Sequence, residues 1–184
     1  MTGRLFTMAL LGLGLACGAG CSSGDASSGV SVFKNLSRKD SNLRIFLDGK
    51  EAKQDKLKKG LKGYAPFTIK DQVAGSPKFK YEIIDPKKHG FIKNVMMAVH
   101  QKFEADFSDI ADYVIHPRDT SNSDANMKPG VEYDLGNLGK DFRILDRHDK
   151  EVDKVEFQHG KEYLLVFTVH ADKSEAVQVY FKTN

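Results

Sequence analysis

The chain has no tryptophan, five prolines and only two cysteines, Cys17 and Cys21, in 184 residues. Four positions apart and both ahead of any folded segment, the two cysteines cannot frame a disulfide-stapled domain. No run of 18 or more apolar residues occurs, so no segment reads as a spanning helix; the run of residues 5–16, uncharged throughout, has twelve. A strong overall charge is missing too: 28 Lys+Arg against 25 Asp+Glu leave +3, which argues for neither a basic nor an acidic partner. There is no Gly-x-Ser-x-Gly elbow and no phosphate-cradling glycine loop, and no His-x-His or His-x3-His pair supports a metal centre. What remains, at 40% hydrophobic residues, is enough for one sizeable core.

The first thirty residues read as an address. Arg4 supplies a positive start, residues 5–16 (LFTMALLGLGLA) form the core of a secretory signal, and small residues crowd the cysteines in Ala16-Cys17-Gly18-Ala19-Gly20-Cys21-Ser22. Ala19-Gly20-Cys21 resembles the lipobox of bacterial lipoproteins. That resemblance implies cleavage before Cys21, diacylation of its thiol and no further membrane span. Gly18 stands where the family usually has Leu. Leu15-Ala16-Cys17 is the competing match, and an ordinary secretory peptide cut near Ala19 is the other alternative. Ser22 after the lipidated cysteine resembles the signal for transfer to an outer membrane, where the host has one. Residues 22–29 (SSGDASSG) lack the apolar surface that repays ordering and read as a tether between a leader (1–20) and one domain (30–184).

From Val30 on, period-two alternation dominates. Leu43, Ile45 and Leu47 alternate with Arg44 and Phe46 ahead of an Asp48-Gly49 turn, and Phe79, Tyr81 and Ile83 alternate with Lys80 and Glu82. Residues 163–169 (YLLVFTV) are apolar on both parities, as a strand covered on both faces would be. Short strands at such spacing predict a mainly β, immunoglobulin-like β-sandwich. The stretch 30–84 resembles small immunoglobulin-like domains of bacterial envelope proteins, a resemblance that carries no site residues. One helix is expected around 92–114, where Ile92, Val95, Met96, Val99, Phe103, Phe107, Ile110 and Val114 recur every three or four residues. Residues 117–130 read as a long exposed loop.

Charge is segregated along the chain: seventeen basic against seven acidic residues in 31–102, ten against seventeen in 103–184. Lys50, Lys53, Lys56, Lys58, Lys59 and Lys62 concentrate the positive part and are the candidates for contact with anionic lipid or another polyanion. A helix through 106–112 would stack Asp106, Asp109 and Asp112 as candidate acid/base groups, or simply as a solvated acidic face. His148, His159 and His170, spaced by eleven, are candidate zinc ligands only if all three reach the same end of a sheet. Asp146, Asp149 and Glu151 lack the spacing of a calcium loop. Tyr64, Tyr113 and Tyr133 are the aromatic candidates for a sugar-binding face.

No cofactor is expected. The expected partners are a membrane reached through the lipid anchor and, beyond it, an envelope protein or anionic polymer; nucleic acid is not among them. The sequence thus points to a tethered binding or structural module, with an envelope hydrolase or metal-dependent enzyme assembled from distant residues as the alternative.

Overall fold

The computed structural model describes residues 41–55, 65–103, 106–107 and 110–184; residues 1–40, Cys21 among them, and Lys56, Lys58, Lys59, Lys62 and Tyr64 lie outside them. In chain order the strands are β1 (Leu43–Leu47), β2 (Lys50–Glu51), β3 (Lys53–Gln54), β4 (Ala65–Thr68), β5 (Lys78–Ile83), β6 (Ile92–Phe103), β7 (Asp106–Phe107), β8 (Tyr113–Pro117), β9 (Glu132–Asp134), β10 (Phe142–Asp146), β11 (Glu151–Val152), β12 (Glu162–Ala171) and β13 (Glu175–Lys182). Helical structure among the described residues is confined to two three-residue 3-10 turns, Pro86–Lys88 and Ser123–Ala125.

The strands form two sheets. A small one runs β2-β1-β5-β9; the larger runs β11-β10-β8-β6-β12-β13-β4-β3, with β7 paired to β6. Neighbours are antiparallel except β13 and β4, which are parallel. The fold is mainly β and sandwich-like, as the alternation predicts. Leu43, Ile45, Leu47, Phe79 and Tyr81 point inward from the small sheet; Val95, Met97, Val99, Leu165, Phe167 and Val169 face them from the large one. At the middle Phe167 lies 4.9 Å from the Phe79 ring and 4.8 Å from that of Tyr81. Burial pushes the Tyr81 phenol well above its usual range, aided by Tyr133, and its hydroxyl donates to the Met127 carbonyl at 2.7 Å.

Asp48 and Gly49 both take positive φ (50° and 72°), which the two-residue turn between β1 and β2 requires. The expected C-terminal hairpin is the β12–β13 pair, in register from Glu162↔Lys182 to Val169↔Glu175.

The expected helix over 92–114 is not formed. Residues 92–103 are the twelve-residue strand β6, held between β12 and β8, and 113–117 are β8. Val95, Met97 and Val99 are buried at spacing two, whereas Met96, Phe103 and Ile110 are exposed. The apparent helical period came from adding apolar residues of both faces of β6 to Phe107 of β7, Ile110 and Val114 of β8. The 118–131 connection is also more than an exposed loop: Asn126 accepts from Val95 N and donates to Lys93 O, stitching the connection to β6.

Candidate functional site

The register of the large sheet sorts the candidate residues by end. His159 lies in the turn leading into β12, while His170 closes that strand opposite Asn94. Eight residue steps of strand, about 26 Å, separate Glu162 from His170. His148 sits in the β10–β11 turn, at the His159 end: β10 is antiparallel to β8, β8 to β6 and β6 to β12. The condition for a three-histidine zinc site is therefore not met. Among the described residues no group of three His, Cys, Asp or Glu side chains could hold a metal ion. Burial lowers the His170 pKa, favouring its neutral ring.

The carboxylates disperse likewise. With no helix, Asp106 and Asp112 do not stack, and Asp109 lies outside the described residues. Asp112 instead accepts from Gln101 N at 2.6 Å and sits 3.6 Å from Arg147. Asp146 serves its turn, accepting from the backbone N–H groups of His148 (2.9 Å) and Lys150 (3.0 Å), which hold its pKa down. Hydrogen bonding from Arg118, with Arg143 nearby, does the same for Glu151.

Of the lysine stretch, Lys50 donates to the Gln72 carbonyl and Lys53 pairs with Glu51. Lys53 stands on β3 at the edge of the large sheet, and its partner Glu51 belongs to the outer surface of the small sheet, where Arg44 lies 3.8 Å from Glu51 and 3.9 Å from Glu82, and Lys80 pairs with Glu82 at 2.9 Å. On this face positive and negative groups alternate, which favours solvation over capture of a polyanion.

Two features were not anticipated. The first is a cleft of about 230 Å³ at the His159 end, between Phe107 and the β4, β13 and β12 strands, lined by Thr68, Lys70, Glu162, Tyr180 and Lys182 among others. Phe107 meets Tyr180 edge-to-face at 5.5 Å. Both rings derive from segments far apart in sequence, so only the parallel β13–β4 pairing and the short β7 ribbon reveal the cleft.

The second is a buried polar cluster at the opposite end. Glu175, 7% exposed, accepts from Ser41 Oγ at 2.5 Å and from Asn42 N at 3.0 Å, and its other oxygen lies 3.5 Å from His89 Nε2. His89, 2% exposed, donates from Nδ1 to the Lys173 carbonyl at 3.1 Å, since a carbonyl can only accept. Asn42 exchanges two bonds with Asp85, donating Nδ2 to its carbonyl (2.7 Å) and accepting its N–H (2.9 Å). Serine, histidine and an acid meet here in the wrong order for nucleophilic catalysis. The hydroxyl donates to the carboxylate and not to the imidazole, so no base is placed to activate it. The cluster is a clasp that fixes the start of β1 to the β5–β6 and β12–β13 connections.

Compared with known protein families, curated proteins and solved structures, the chain matches none.

Proposed function

We propose that the protein is a cell-envelope lipoprotein, lipidated at Cys21, whose sandwich-like domain serves as a membrane-tethered binding or structural module. The observation that carries this reading is the apolar run of residues 5–16 followed by Ala19-Gly20-Cys21-Ser22. Two acyl chains on one cysteine anchor a protein stably without a spanning helix.

The binding role draws support from two arrangements. Glu175 and His89 of the polar clasp are buried, and the charges of the small sheet are paired with one another. The 230 Å³ cleft at the far end presents two aromatic rings with Lys70, Lys182 and Glu162, a combination suited to a small polar ligand or a peptide side chain.

Fatty-acid labelling in cells tests the anchor. Label should enter the wild-type chain and be lost in Cys21→Ser while surviving in Cys17→Ser. The reverse pattern would move the anchor to Cys17, and label in neither protein would overturn the lipoprotein reading.

A further inference from the structure

The clasp gathers at one end of the sandwich the place where the chain enters the domain and two of its connections. Ser41 and Asn42 are held by Glu175, Ile84 N donates to Asn42 O at 2.9 Å, Lys173 N to His89 O at 3.2 Å, and Phe91 N to Asp172 Oδ2 at 3.2 Å. Residues 84–93 and 171–174 therefore form one surface around the first described residue.

That surface has an unusual make-up. Ile84 and Phe91 are 58% and 63% exposed, so each leaves most of a large apolar side chain in water. Beside them Lys87, Lys88, Lys93 and Lys173 are exposed and form no ion pair among the described residues. Two acids accompany these lysines. Asp85 accepts from Lys87 N at 3.1 Å and Asp172 from Phe91 N, so both shape the loops, and the end stays net positive. Gly90, at φ +70°, allows the tight approach, since a Cβ there would come within 2.5 Å of Asp172 Oδ2. The clasp thus holds Ile84 and Phe91 outward on a rigid base.

We propose that this end of the domain docks on an anionic lipid bilayer, with Phe91 and Ile84 entering the interface and the lysines lying on the head groups. The inference rests on the membrane-anchored reading above and adds an orientation to it. Charge complementarity supplies one argument, each lysine near such a surface contributing about fivefold in association. The course of the chain supplies the other. Ser41 lies twenty residue steps after Cys21, so an anchor at Cys21 keeps this end, where the chain enters the domain, within about 70 Å of the bilayer at full extension. Aromatic and aliphatic side chains beside lysines suit the boundary between head groups and acyl chains.

Because the chain has no tryptophan, one substitution makes a site-specific reporter. The full-length protein carrying Phe91→Trp, and a control carrying His159→Trp at the far end, are placed on vesicles of zwitterionic and anionic lipid that include brominated acyl chains. The emission of the Phe91→Trp protein should shift to the blue and be mostly lost to the bromines. The control should keep its emission, and Lys87→Gln with Lys88→Gln should restore much of that of the reporter. Equal quenching at the two positions would overturn the proposal, and quenching unchanged in purely zwitterionic vesicles would overturn the choice of an anionic surface. A blue shift that instead follows protein concentration without lipid would assign the end to a second copy of the chain. The anchor is judged separately: an acylated Phe91→Trp protein that stays unquenched defeats this proposal alone, whereas quenching in a chain that takes up no fatty acid defeats the anchor alone.

Discussion

Replacing Glu175 with alanine should cost about 3–5 kcal/mol of folding stability, the usual result of breaking a buried charged group from its partners. The Glu175 carboxylate joins three groups. It accepts from Ser41 Oγ (2.5 Å) and Asn42 N (3.0 Å) and faces His89 Nε2 at 3.5 Å, with only 7% of the residue exposed. Hydrogen bonds to a charged group contribute ~1.5–3 kcal/mol each, and the Asn42 N–H, itself buried, would be left without an acceptor. These effects share one site and do not add fully. Glu175→Gln retains a carbonyl for Ser41 and Asn42 and should lose no more than ~1.5 kcal/mol. In urea unfolding with a slope of about 1–3 kcal/mol/M, a loss of about 3 kcal/mol moves the midpoint down by ~1–3 M. A loss below ~1 kcal/mol for the alanine variant, or equal losses for alanine and glutamine, would refute the clasp as a hydrogen-bonded device.

Phe167→Ala should cost about 3–5 kcal/mol, because the ring is fully buried between Phe79 and Tyr81 where the two sheets meet; thermal unfolding measures this, and a loss under ~2 kcal/mol would mean the sheets do not pack through it. Acid should destabilise the fold in part through Asp146 and Glu151, whose pKa values lie below the ordinary carboxylate range. Their contribution is complete above the unfolded-state values, roughly pH 4, and disappears as pH falls through the lower folded-state values, so melting curves against pH should slope less there for Asp146→Asn than for wild type.

How much of this was legible in the sequence depended on whether a residue's neighbours were local. Leu43, Ile45 and Leu47, and Phe79 and Tyr81, alternate cleanly because one face of the small sheet meets the core and the other meets water. The Asp48-Gly49 turn announced itself through the one residue pair that accepts positive φ twice. The run in β12 was legible as a covered strand because both of its faces are apolar. In β6 apolar residues stand on both faces but only one face is covered: with Met96 and Phe103 on view and Val95, Met97 and Val99 inside, its apolar residues counted together mimic a helix. The clasp joins Ser41, Asn42, Asp85, His89 and Glu175 across more than 130 residues, and the cleft joins Phe107 to Tyr180. No spacing rule connects such positions. The equal spacing of the three histidines showed the converse, since eleven residues along β12 carry His170 to the end opposite His159.

The lipid anchor at Cys21 is the claim on which both the function and the proposed docking orientation rest. Intact-mass measurement of the protein extracted from the membranes of cells that make it tests that claim most directly. The expected mass is that of a chain that begins at Cys21, lacks the twenty residues before it and carries a diacylglyceryl group. A chain beginning elsewhere, or one whose Cys21 is present as an unmodified thiol, would contradict it.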